Sequence, residues 1–416
     1  MRSKNLSAVS LFLFFFNPVL GFLTSLFNVR SRIGMLVYIG FAAVFGYAFS
    51  FSNTSADSYR YAEAFSQFDN SLNVEKIVMM YQSGELQDLY RILLFYIVSL
   101  FTNNPKVLYA IAGLIYGIFS HMCLVVFTKE RGHRWDLYVV ILAIVFYTFI
   151  SISSVNGFKF NTGALIFFYS SYQTIIKNKW KWIFGIIITP LFHYGFMLVA
   201  PLIIIYKFVH PLLYSNKGVN IYLYYLFTIS FIASWFLKTN SIDLSFITQG
   251  EELSGAVGER INYVNSDEVT KLTETRTGSS AFLGIQEYFH YATKIYVYVV
   301  VTFLYKQIQR MKGDLKWFTS MMAFLLFFYS FAFIATSFPS GGRFMSIAHL
   351  FLMILIAKFY FFFDQKRIKK LILWSLPVFS FSILFTNFVM PFLILSSTFW
   401  YGNLFWIIID GLNFVI

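Results

Sequence analysis

Long apolar runs follow one another along almost the whole chain, and the few charged residues collect in the short gaps between them. Ala8–Phe27, Gly34–Phe51, Val107–Phe127, Leu137–Ser153, Phe160–Ile176, Trp182–Tyr206, Val219–Leu237, Trp317–Ser337, Phe344–Phe363 and Leu371–Phe388 form the main series. Each is long enough, or nearly so, to cross a bilayer core of about 30 Å as a helix. The pattern predicts an all-α fold, a polytopic integral membrane protein with about 10–13 transmembrane helices, re-entrant segments among them, at about 20 residues per crossing. A single transmembrane domain then spans residues 1–416, with no separate soluble domain and no internal repeat.

Some runs break the pattern. Leu89–Phe101 is short and ends at Thr102-Asn103-Asn104-Pro105. It is read as a re-entrant or interfacial helix inside an external loop over residues 52–106. Trp182–Tyr206 contains Pro190, His193 and Pro201, so a kink or break is expected. Taken as one crossing, it would place the polar loop 240–287 inside. Taken as a hairpin that returns, it would place that loop outside, which the charge pattern favours. Leu404–Ile416 is apolar but short and carries Asp410. At the other end, Met-Arg-Ser-Lys and the apolar run after it resemble a signal peptide. The run is too long for a signal-peptide core and lacks a small-x-small cleavage site, so Ala8–Phe27 is read as a retained first membrane helix.

Composition agrees: 58% of residues are hydrophobic and only 12% charged, about half the charge of a soluble domain, and the mean hydropathy is +0.66. The 54 Phe and 28 Tyr suit lipid-facing and interfacial positions. A net charge of +13 would suggest nucleic acid as the partner of a soluble protein. Here the cations stand just beyond apolar runs, as in Lys177, Lys179, Lys181 and Lys366, Arg367, Lys369, Lys370. They read as cytoplasmic topology signals, and the expected partner is the lipid bilayer, not nucleic acid. With Arg30–Arg32, Lys129–Arg134 and Lys306–Lys316 also cytoplasmic, residues 52–88, 240–287, Pro339–Arg343 and the Lys159 junction fall outside. Arg2 and Lys4 conflict with this, because one crossing by Ala8–Phe27 would put them outside too. The lone Cys123 permits no intrachain disulfide. There is no CxxC or HExxH cluster, so nothing in the sequence demands a metal, and no organic cofactor is expected.

Four polar spots interrupt the apolar pattern, where burial in lipid is costly. They are Ala56-Asp57-Ser58-Tyr59-Arg60-Tyr61, Val155-Asn156-Gly157-Phe158-Lys159-Phe160, Leu191-Phe192-His193-Tyr194-Gly195 and Pro339-Ser340-Gly341-Gly342-Arg343-Phe344. Their order resembles the EpsG family of exopolysaccharide-synthesis membrane proteins and the wider Wzy-type O-antigen and capsule polymerases. Asp57 and Tyr61 come first, then Asn156-Gly157-Phe158-Lys159, the Lys177–Lys181 gap, Leu191-Phe192-His193, and Gly342-Arg343-Phe344. The resemblance covers roughly residues 50–210, and residues 335–365 more weakly. Lys159 departs from it, standing where the family commonly has Arg; charge is kept, but not a bidentate fork.

The resemblance implies a membrane glycosyltransferase of the bacterial cytoplasmic membrane. It would polymerise polyprenyl-diphosphate-linked oligosaccharide repeat units at the external face, beside a flippase and a chain-length regulator. Such a reaction needs cations for the leaving diphosphate and a proton acceptor for the attacking hydroxyl. Arg343, Lys159 and Arg60 are the candidates for the first task, and His193 and Asp57 for the second. Asn156, Tyr61, His290 and His349 are further cavity candidates; His290 and Lys294 form an i, i+4 pair. Each has a plainer reading: Asp57 and Arg60 as a surface ion pair, Lys159 as an interfacial snorkeller, His193 as a tie between helices. The 240–287 loop is either a surface loop or a lid. The competing functions are a lipid-linked glycan flippase or other transporter and a membrane O-acyltransferase.

Overall fold

The computed structural model describes residues 2–54, 56–68, 88–131, 136–215, 218–237, 280–311, 315–338, 341–363 and 366–412, with 75, 79 and 313 besides. The polar segment 240–279, Arg134 and Pro339-Ser340 lie outside the described residues. The fold is all-α. Among the described residues, five helical runs are long and apolar enough to cross a membrane: Pro105–Glu130, Leu137–Ile176, Lys316–Ala335, Arg343–Phe363 and Lys366–Ile394.

The first apolar run is not one crossing. Helix α1 (Arg2–Phe16) ends at Asn17, and α2 (Pro18–Ser25) runs back. Pro18 has no N–H to continue the ladder, and Asn17 turns extended and accepts the Leu20 N–H with its side chain. The Ser7 hydroxyl lies 3.2 Å from that of Ser31, so the two arms form a short hairpin. This corrects the reading of Ala8–Phe27 as a single membrane helix. It also removes the conflict over residues 2 and 4, which start on the side of Arg30–Arg32.

Helix α3 (Arg32–Tyr47) then leads to the other end of the bundle, capped by the Ser31 hydroxyl on the Gly34 N–H. Helices α4 (Asp57–Ser66) and α5 (Leu89–Ser99) follow. Helix α5 starts next to Lys159, through Asp88, and leads directly into the first turn of α6 (Pro105–Glu130), capped by Asn104. Both its ends therefore lie at the same end of the bundle. Helix α6 packs antiparallel on α3, where the Tyr38 and Ser120 hydroxyls meet at 2.6 Å.

Helix α7 (Leu137–Thr148) returns with Phe146 stacked on Phe127. A 3-10 turn, Ile152–Gly157, joins it to α8 (Phe158–Ser171). Helix α8 runs alongside α6 in the same direction, from Phe158 against Tyr109 to Tyr172 on the Glu130 carboxylate. The stretch 137–176 is thus two antiparallel helices meeting at Asn156-Gly157.

The Pro-containing stretch is a broken hairpin. Helices α9 (Ile183–Ile187) and α10 (Thr189–Phe192) lead in, and α11 (Phe196–Val209) leads back. The two ends meet again: Lys207 donates to the Asn178 side chain at 2.6 Å, and the Trp180 and Phe208 rings are 5.6 Å apart. Helix α12 (Ile221–Phe236) then pairs antiparallel with α13 (Ser280–Arg310), with Trp235 on Tyr291 at one end and Tyr224 on Tyr305 at the other. Residues 280–287, read from sequence as loop, are the first turns of α13.

Helices α14 (Lys316–Ala335) and α15 (Arg343–Phe363) form the most buried part of the bundle. Helix α16 (Lys366–Leu384) continues through a π-turn into α17 (Met390–Ile394). The described residues close with α18 (Ser397–Tyr401) and α19 (Leu404–Leu412), the latter about 14 Å long.

The contacts sort the charges. At one end Arg30 reaches the Thr128 carbonyl, Glu130 accepts from Lys177 and Lys358 at 2.6 Å each, and Lys369 sits over Tyr138 and Tyr360. Asp57, Asp88, Asn156, Lys159, His193 and Arg343 belong to the other end.

Candidate functional site

The site begins where the Asn156-Gly157 junction meets α4. The Asn156 side-chain oxygen accepts the Ser58 N–H at 2.9 Å, capping α4 from another segment of the chain. Gly157 leaves room for the neighbouring carboxylate, because a Cβ there would stand 3.2 Å from Asp57 Oδ2. Asp57 is ion-paired with Arg60 one turn on, and both stay partly exposed. Their mutual contact is the ion pair that the plainer reading named. Tyr61 turns inward beneath two cations, with Lys159 Nζ 5.1 Å and the Arg91 guanidinium 5.8 Å from its ring centre. Burial, and then the Asp57 charge, push the Tyr61 hydroxyl up, so it stays protonated.

Asp88 is the hub. Its carboxylate accepts from Lys159 Nζ at 2.5 Å and from the Tyr194 N–H at 3.2 Å, and the residue is 4% exposed. It stands at the N-cap of α5 yet caps nothing there, because both oxygens are used across the bundle. Burial alone would raise its pKa; the attraction of Lys159, with these hydrogen bonds, outweighs it and holds the group below the usual carboxylate value. Three distant parts of the chain (the α5 start, α8 and the hairpin break) thus meet on one carboxylate.

His193 stands at that break, extended at φ −156° and ψ 129°. Its Nδ1 accepts the Gly195 N–H at 3.0 Å. A backbone N–H only donates, so the neutral ring carries its proton on Nε2. The ring meets Phe160 edge-on at 5.2 Å, and the Arg343 guanidinium lies 5.3 Å over the same Phe160. Gly341 sets up Arg343: a Cβ there would fall 1.8 Å from the Ala335 carbonyl oxygen, so only glycine closes the α14–α15 turn. The Gly341 N–H is spent on Phe338.

The site residues read from sequence therefore divide. Asp57, Arg60, Tyr61, Asn156, Lys159, His193 and Arg343 come together. His349 is buried, with Nδ1 2.8 Å from the Tyr329 hydroxyl and its ring against Phe149 and Phe379. His290 stands on α13 one turn before Lys294, which donates to the Ser234 carbonyl. Asp88 and Arg91 were not among the candidates. Their only signal in sequence is a charged i, i+3 pair straddling the start of an apolar run. Among the described residues no cluster of three or more His, Cys, Asp or Glu could hold a metal.

An all-α membrane bundle with a charged cluster at one end is the architecture of a polytopic membrane protein, and the order of its site segments follows that of polysaccharide-synthesis proteins. The EpsG family model matches residues 33–401. The chain belongs to the EpsG family, the family of EpsG-like polysaccharide polymerases. No curated protein and no solved structure matches it.

Proposed function

We propose that the protein is a glycosyltransferase of the bacterial cytoplasmic membrane that polymerises polyprenyl-diphosphate-linked oligosaccharide repeat units at the external face. The observation that carries this reading is the convergence of Asp57–Arg60, Asp88–Lys159, His193 and Arg343 at the end of the bundle away from the basic clusters. Basic clusters mark the cytoplasmic side, so the site faces out. In the reaction an acceptor sugar hydroxyl attacks the anomeric carbon of the donor repeat. A new C–O bond forms, the bond to the diphosphate breaks, and polyprenyl diphosphate leaves. The hydroxyl proton passes to a base.

Arg343 is the exposed cation for the diphosphate, with Arg60 at the rim. Lys159, tied to Asp88, adds charge from beneath. In this reading His193 Nε2–H donates to a leaving oxygen and Asp57 is the better base of the two, since His193 Nδ1 is engaged. The test is Arg343→Ala. Losing one charged contact to the transition state costs about 3–4 kcal/mol, a factor of about 10²–10³ in rate. Polymer should disappear while inserted protein persists and lipid-linked single repeats build up on the external face. Repeats held on the cytoplasmic face would indicate a flippase, and a normal glycan ladder would remove Arg343 from the site.

A further inference from the structure

At the opposite end of the bundle from the charged cluster, α13 and α16 enclose an open groove of about 620 Å³. Its walls are apolar, with Val299 and Phe303 on one side and Trp374 and Val378 on the other. Its floor is closed where the Tyr296 hydroxyl donates to the Leu371 carbonyl at 3.0 Å. Arg367 and Lys370 also line it, both within the first two turns of α16. We propose that this groove is a binding site for an anionic phospholipid of the cytoplasmic leaflet, with the phosphate held by Arg367 and Lys370 and an acyl chain laid along the Val299–Trp374 trough.

Charge makes the argument. A helix N-terminus is already positive and favours anions. Helix α16 instead opens with Lys366, Arg367, Lys369 and Lys370, and no acidic residue lies in its first turn. Asp364 just ahead of it in sequence leaves the stretch 364–370 at net +3, four basic residues less one acid. Lys369 is directed at the Tyr138 and Tyr360 rings, whereas Arg367 and Lys370 face the groove. An anion seated there would offset both the side-chain charges and the helix dipole. Trp374 is 59% exposed one turn beyond Lys370, suited to the boundary between headgroup and acyl chain. Basic pockets between membrane helices on the cytoplasmic side are lipid headgroup sites by the same electrostatics. The substrate of the proposed reaction docks at the other end, so this site is separate from it.

The test is native mass spectrometry of the full-length protein, released from detergent micelles holding equal amounts of dioleoylphosphatidylglycerol and dioleoylphosphatidylcholine. The wild type should retain phosphatidylglycerol selectively. Arg367→Gln with Lys370→Gln should lower that retention on the order of 20-fold, about fivefold for each cation. Val299→Trp, which fills the trough and leaves every charge in place, should lower it too and guards against misinsertion of the charge variant. Lys179→Gln with Lys181→Gln removes two cations elsewhere at the same end and should change nothing. The proposal is overturned by any of three results: no selectivity in the wild type, equal loss in the Lys179/Lys181 variant, or full retention in Val299→Trp.

Discussion

At the scale of single residues, the site turns on a side chain with no motif around it. Asp57, Lys159, His193 and Arg343 are legible in sequence because each interrupts an apolar pattern or sits in a short polar element. Asp88 closes a long polar stretch, where one more carboxylate carries no signal, and its partner Lys159 is 71 positions away. Only the fold makes it a hub. Removing one partner of a buried ion pair leaves the other charge uncompensated, at a cost of about 3–5 kcal/mol. Asp88→Asn should therefore lower the melting temperature in detergent markedly, and adding Lys159→Met should recover much of it. A double variant as unstable as the single one would refute the pairing. The sign with pH follows from the depressed carboxylate. Its contribution is present above the unfolded value near 3.9 and is lost as pH falls through the lower folded value. Acid melting curves should thus steepen below about pH 4 in the wild type and less so in Asp88→Asn.

At the scale of elements, apolar run length was a good guide wherever nothing interrupted the run, as in α6, α14 and α15. It misled where a short polar signal overrode it. The twenty-residue length of Ala8–Phe27 suggested a crossing, but Asn17-Pro18 is a turn signal, and the run folds back on itself. The break at His193 was legible because two prolines flank it; that its legs return to the same end was favoured by charge and is settled by the Lys207–Asn178 contact. The pairing of α3 with α6 was not legible at all, since it depends on small residues meeting backbone. A Cβ at Gly113 would stand 2.2 Å from the Ala42 carbonyl oxygen, while one at Gly342 meets nothing within 4 Å. Gly113→Val should force the two helices apart and cost about 1–3 kcal/mol, as overpacking does. Gly342→Ala should melt like the wild type. Equal melting of all three proteins would show that α3 and α6 do not pack this closely.

At the scale of the whole molecule, topology follows from where the two hairpins turn. Each hairpin, 2–25 and 180–212, enters and leaves at the basic end, so neither changes the side on which the next helix begins. Counting Ala8–Phe27 as a crossing puts residue 5 and residue 30 on opposite sides; counting it as a hairpin puts them together, on the side of Lys177 and Lys358. The sole cysteine, Cys123, is buried, so an introduced cysteine can be read alone. Asn5, Gln67 and Lys179 are exposed and suit the purpose. Gln67→Cys should react with an impermeant thiol reagent in intact spheroplasts, because α4 shares with Asp57 the end proposed to face out. Lys179→Cys should react only after the membrane is opened. Asn5→Cys is the deciding position, and it should behave like Lys179→Cys. Labelling of Asn5→Cys in intact spheroplasts would restore the single crossing, and with it the violation of the charge rule by Arg2 and Lys4. Protection of all three positions would instead bury the α4 end, and the external site would fall with it.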